Sequence, residues 1–223
     1  MLLQIPDVLS ADEVASLRRD LAHARFEDGR ATAGAGAQEA KRNLQLPVDG
    51  DGARTCSPRV LEALRRNPLF FSAALPQRMF GPVFNRYDKG MGYGDHLDAS
   101  ILGVPAPIRA DVAATLFISA PQDYDGGELV IQDTFGAHRV KLPSGGIIVY
   151  PASSHHRVET VTRGSRLAAV LWVQSLVRDE GRRRILFDID VTIGSLARKA
   201  PRPPEIETLS SAYHNLLRMW AES

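Results

Sequence analysis

Between Phe80 and Val177 the chain consists of short runs of β-branched and aromatic residues, cut by glycine, proline and aspartate. Eight of these runs read as strands, near Val83–Asp88, Gly94–Asp98, Val112–Ser119, Glu128–Gln132, His138–Leu142, Gly146–Tyr150, His156–Val161 and Ser165–Ser175. No helical repeat separates them. So many short strands without helical crossovers argue for an antiparallel sandwich or barrel, and a jelly roll fits the count.

The flanks are helical. Ser10-Ala-Asp-Glu13 is a capping box, in which hydroxyl and carboxylate satisfy opposite orphan amides. Val14, Leu17 and Leu21 then recur at helical spacing, so a first amphipathic helix runs to about Ala24. Ala31–Ala40 is small and unpatterned, open to reading as a lid over a substrate or as a plain loop. Lys41–Leu46 resumes as a short strand. Ser57 and Pro58 read as N-cap and first residue of a helix with Val60, Leu61 and Leu64 on its apolar side, ended by Asn67-Pro68. Past Val177, the charge run Arg178–Arg184 reads as a solvated loop and helix start, with Ile185, Leu186, Ile189 and Ile193 following at helical spacing. Pro201-Arg-Pro-Pro204 is a stiff break. A last helix over Glu205–Glu222 carries Ile206, Leu209, Tyr213, Leu216, Leu217 and Trp220 on one face, which must bury against the barrel or another subunit. The expected class is therefore mainly β with flanking helices (α+β). Residues 1–177 are expected to form the main unit, with its β core at about 80–177, and residues 178–223 a C-terminal helical extension.

Charge and cysteine content narrow the function. Lys plus Arg is 27 against 26 for Asp plus Glu, so no basic field argues for nucleic acid. The single cysteine, Cys56, excludes an intramolecular disulfide and a cysteine-based zinc cluster, suits a reducing compartment, and reads as inert. The N-terminus lacks the basic and long apolar regions of a signal peptide, and no apolar run approaches the roughly 18 residues that span a bilayer. A cytoplasmic protein that binds no membrane is expected.

His96-Leu97-Asp98 is the chemical landmark. In an extended segment residues i and i+2 point to one side, so His96 and Asp98 can present an imidazole and a carboxylate to a single ion. A distant histidine would complete a two-His-one-carboxylate facial triad, which leaves open the positions that non-haem Fe(II) oxygenases use. His155 and His156 both qualify, and strand alternation lets only one of them point inward. Arg166, ten residues past His156, lies on the last long strand. A guanidinium inside a barrel needs an anionic partner, and its planar fork suits a carboxylate.

This constellation resembles the Fe(II)/2-oxoglutarate dioxygenases, in the branch of the prolyl and lysyl hydroxylases. Phe84-Asn-Arg-Tyr87, Tyr124-Asp-Gly-Gly-Glu-Leu129, Ile131-Gln-Asp-Thr134, Val161-Thr-Arg-Gly-Ser-Arg166, Arg178-Asp-Glu180 and the closing Tyr213–Glu222 are more narrowly similar to the bacterial PiuC/YbiX-type PKHD hydroxylases. The resemblance implies a double-stranded β-helix core, with His96, Asp98 and His156 as catalytic iron ligands. It implies Arg166 as the clamp on the far carboxylate of 2-oxoglutarate, Tyr87 in the co-substrate pocket and Trp172 near the iron. It also implies Fe(II), 2-oxoglutarate and O2, admits ascorbate as a reductant, and points to hydroxylation of a peptidyl or small-molecule substrate coupled to release of succinate and CO2. Phe117 stands where related hydroxylases often have a second tyrosine, with Thr115 as a stand-in. Two other functions remain open on the residues: a cupin-like metalloenzyme without a 2-oxo acid, and a non-catalytic iron- and 2-oxoglutarate-sensing module. The helical tail admits a homo-oligomer. Among other residues, Tyr93 either packs or lines the pocket, His138 reads as an interior histidine by strand parity with Val140 and Leu142, and His155, His23 and His214 read as surface.

Overall fold

The strand β1 (Leu3–Ile5) leads into helix α1 (Ala11–His23) through the expected cap. The Ser10 amide donates to Glu13 Oε2 at 2.8 Å and the Glu13 amide to Ser10 Oγ at 3.3 Å. The computed structural model describes residues 1–32, 38–103, 105–199 and 204–222. The middle of the expected lid loop and most of the proline break lie outside the described residues. After β2 (Glu27–Asp28), the single strand expected at Lys41–Leu46 is two short ones, β3 (Lys41–Arg42) and β4 (Leu44–Gln45), which belong to different sheets. The next helix, α2 (Asp51–Arg66), starts well before Ser57, with Gly50 as its N-cap and Pro58 inside it. Small side chains account for this. Ala53 and Cys56 carry the buried stripe of Val60, Ala63 and Leu64 back by two turns, outweighing the single backbone bond that Pro58 cannot make. Asn67-Pro68 ends α2 and also starts α3 (Pro68–Ala74), where the Asn67 side chain accepts from the Phe70 amide at 2.9 Å.

The β region follows as β5 (Pro76–Asp88), β6 (Gly92–His96), β7 (Ile101–Leu102), β8 (Ile108–Arg109), β9 (Val112–Phe117), β10 (Tyr124–Gly126), β11 (Leu129–Asp133), β12 (Gly136–Val140), β13 (Ile147–Pro151), β14 (His156–Val158) and β15 (Val161–Ser175). Among the described residues one sheet runs β1-β13-β9-β15-β5-β4-β2, with β10 on a further edge of β15, and a smaller sheet runs β12-β11-β14-β6-β3. All the pairings are antiparallel, as a jelly roll requires. The long pair β5 and β15 begins earlier than the sequence suggests, because Pro76–Phe80 pairs with Trp172–Ser175 beyond the barrel proper.

Alternation on the large sheet divides the core. Ala114, Leu116, Ala169, Leu171 and Val173 face α1 and α2 and pack with Leu17, Leu21, Val60 and Leu64. Residues of the opposite parity, among them Tyr87, Phe117, Ile148 and Tyr150, face the smaller sheet and pack with Leu129, Ile131 and Val158. A cavity opens between the two sheets.

The chain ends in α4 (Glu180–Ala197), capped by Asp179, and α5 (Glu205–Trp220). Leu75, Val177 and Leu186 are buried together under Tyr213, Leu216, Leu217 and Trp220, so the tail covers its own chain. Arg183 departs from the solvated reading of the charge run. It is buried, and its guanidinium donates to the carbonyls of Val177 and Arg178, both at 2.7 Å, tying the start of α4 to the end of β15. Among the described residues no helix is long and apolar enough to cross a membrane.

Candidate metal centre and co-substrate pocket

His96 is the last residue of β6, and His156 the first of β14, directly opposite it in the ladder. The pairing brings two imidazoles from distant sequence side by side, with ring centroids 4.2 Å apart. The expected strand over Gly94–Asp98 stops at His96, so Asp98 lies just past the strand end. It still converges. Asp98 Oδ1 is 3.9 Å from His96 Nε2 and 3.7 Å from His156 Nε2, and one donor atom from each of the three residues falls within 4.8 Å of the others.

Hydrogen bonds orient each donor. His96 Nδ1 donates to the Gly94 carbonyl at 2.8 Å and His156 Nδ1 to the Ser154 carbonyl at 3.0 Å. Each ring thereby keeps its proton on Nδ1 and turns the Nε2 lone pair toward the shared space. The Trp172 indole donates to Asp98 Oδ2 at 2.8 Å, leaving Oδ1 to face the histidines. Burial, and then His156 beside it, push the His96 pKa down to about 4, so the ring is neutral at physiological pH. Tyr93 stacks on His96 with centroids 3.6 Å apart, so it both packs and lines the pocket. Two imidazoles and a carboxylate around one point could hold a divalent ion such as Fe(II).

The three residues line a cavity of about 450 Å³ that also contains Arg166, Tyr87, Thr115 and Trp172. Arg166 is 1% exposed, and its Nε and one terminal nitrogen have no hydrogen-bond partner. Its guanidinium lies over the rings of Tyr87 and Phe117 at 5.2 and 5.3 Å. A buried cation with unspent donors and aromatic walls is a cradle for an anion.

Some residues depart from expectation. His138 is exposed and pairs with Asp133 at 2.8 Å, because β12 is an edge strand whose residues before Val140 are exposed. His155 and His214 are exposed, as is His23, which bonds the Arg19 carbonyl. Cys56 is fully buried, and burial pushes its thiol pKa up. Residues not singled out in advance also line the cavity: Asn85, Tyr150 and Lys41. Asn85 shares strand parity with Tyr87, and Tyr150 with Ile148, a signal available from sequence alone. Tyr124 lies next to Arg166 but off the cavity wall. It is fully buried at the edge of β15. Burial raises its pKa, and the adjacent Arg166 pulls it back.

Comparison with known proteins agrees with this architecture. Residues 82–174 match the 2OG-Fe(II) oxygenase superfamily, and residues 180–222 match the PKHD-type hydroxylase C-terminal domain. A PKHD-type hydroxylase of Hyphomonas neptunium is 53% identical over the whole of both chains. Among solved structures, a Pseudomonas putida prolyl-4-hydroxylase is similar over 78% of this chain and 92% of its own (TM-score 0.51, 22% identity). A prolyl hydroxylase from Trichoplax adhaerens, in complex with a hypoxia inducible factor oxygen degradation domain peptide fragment, covers 83% of this chain and 86% of its own (TM-score 0.55, 14% identity). With two sheets arranged as a jelly roll and full-length similarity above half identity, the chain belongs to the PKHD-type hydroxylases, a branch of the Fe(II)- and 2-oxoglutarate-dependent oxygenases.

Proposed function

We propose that His96, Asp98 and His156 hold the catalytic Fe(II), and that Arg166 binds the far carboxylate of 2-oxoglutarate while this enzyme hydroxylates its substrate. One observation carries the reading: a 1% exposed arginine with unspent donors shares a cavity with three convergent ligand atoms. Fe(II) bound there, with 2-oxoglutarate and O2, supplies oxidation of a C–H bond as the co-substrate leaves as succinate and CO2.

The protein's own part is to orient and exclude. The Gly94 and Ser154 carbonyls hold the imidazole tautomers, and Trp172 holds the carboxylate rotamer. Arg166, 1% exposed, offers paired donors to a carboxylate. Tyr87, opposite it in the ladder, walls the cradle from below. Phe117 brings a ring but no hydroxyl, and the nearby Tyr124 hydroxyl stands next to the Arg166 guanidinium.

Anaerobic titration of the apoprotein with Fe(II) and 2-oxoglutarate, followed by the visible iron-to-oxo-acid charge-transfer band, tests this. The wild type should develop the band, His156→Ala should lose it together with stoichiometric iron, and Arg166→Ala should require far more co-substrate. Folded, iron-loaded wild type with no band would refute the assignment.

A further inference from the structure

Lys41 is the second cation in the cavity, and the chemistry above leaves it unused. It is 7% exposed, and among the described residues its ammonium bonds only the neutral oxygens Thr32 Oγ1 at 2.9 Å and Gln45 Oε1 at 3.2 Å. An ammonium has three donors, so the described residues leave one open. The two carboxylates whose fields reach it are engaged elsewhere: Asp98 with His96, His156 and Trp172, and Asp28 with Arg30. Burial accordingly holds the Lys41 pKa down to about 8, an ammonium short of a counter-ion.

Its aromatic neighbour differs from those of the co-substrate cradle. Lys41 Nζ lies 5.5 Å over the ring of Tyr93, which stacks on His96, whereas Arg166 lies over Tyr87 and Phe117. Charge bookkeeping points the same way. A divalent ion, the Asp98 carboxylate, a dianionic co-substrate and the Arg166 guanidinium sum to neutrality, and Lys41 then adds one uncompensated positive charge. Buried charge of this kind is stabilised by pairing. The rest of the cavity includes the apolar side chains of Val48, Phe80, Leu102 and Val170.

We infer that Lys41, with Thr32 and Gln45, is a specificity-determining subsite for the carboxylate of the primary substrate, which is an acid with an apolar body. The inference rests on the iron and co-substrate assignment above. A single ammonium with two neutral neighbours suits a monoanion, and the one surplus charge is what such a group cancels.

The test holds the Fe(II)- and 2-oxoglutarate-loaded protein under anaerobic conditions and titrates it calorimetrically with hexanoate and hexanamide, probes of equal size that differ in charge. Wild type should bind hexanoate at least tenfold more tightly than hexanamide. Lys41→Met should abolish that preference while 2-oxoglutarate affinity, read from the charge-transfer band, stays within twofold. If Lys41→Met fails to fold, Lys41→Gln carries the same comparison. Equal binding of acid and amide by wild type, binding of neither, or a preference that survives in the variant would overturn the subsite. A tenfold loss of 2-oxoglutarate affinity in the variant would also overturn it, assigning Lys41 to the co-substrate instead. Failure of the underlying reading is distinguishable, since wild type would then show no charge-transfer band at all.

Discussion

Arg166 illustrates how much a single residue's setting can say. Its position was legible from its distance past His156, and a carboxylate partner followed from the cost of burying an unpaired guanidinium. What surrounds it, the Tyr87 and Phe117 rings and the Tyr124 hydroxyl, depends on strands that the chain brings in from three other places. Arg166→Lys keeps the charge but loses the planar fork. Calorimetric titration should show a 2-oxoglutarate Kd raised by about tenfold or more, since each charge-assisted bond contributes roughly 1.5–3 kcal/mol. Trp172 acts one step removed, through Asp98. Trp172→Phe keeps the ring and drops the donor, and iron affinity should fall by roughly 10–100-fold with the fold intact, as metal titration of the apoprotein would show. Lys41 could not be read from sequence in this way. Nothing local marks a lysine as buried, and its place beside Tyr93 follows from the pairing of β3 with β6.

At the scale of elements, local signals were reliable where they were self-contained. The Ser10–Glu13 cap formed as written, because all its partners lie within one turn. Ser10→Ala should lower stability by about 1 kcal/mol in urea unfolding. Glu13 is held below the usual carboxylate range, first by its bond to Arg66 and then by the Ser10 amide. A depressed folded pKa means that this contribution is complete at neutral pH and drains away as pH falls below the ordinary carboxylate value. Glu13→Gln should therefore cost stability at pH 7 and little near pH 3, a difference that thermal melts at the two values would resolve. Signals were misleading where tertiary contacts competed. Ser57-Pro58 looked like a helix start, but Ala53 and Cys56 are buried, so α2 begins at Asp51. His138 alternated with apolar neighbours, yet β12 is an edge whose covering layer never arrives.

On the scale of the whole molecule, the C-terminal helices close over their own chain through Leu75, Val177 and Leu186, a question that the apolar face of the last helix left open between cis and trans. Leu186 is fully buried, so Leu186→Ala should cost roughly 2–5 kcal/mol in denaturant unfolding. A loss below 1 kcal/mol would show that the tail does not pack there in solution. Family membership removes the cupin alternative. By itself, the sequence determined the antiparallel β class, the flanking helices and the chemical types of the site, because period, caps and ligand-bearing residue types are properties of neighbouring residues. Strand alternation left His155 and His156 both open and the family resemblance favoured His156, which the pairing of β14 with β6 sets opposite His96. Only the tertiary structure decided which lysine is buried and where the tail docks. Those outcomes depend on the register and burial of segments far apart in the chain, and a contact between them has no local energy for a sequence pattern to express.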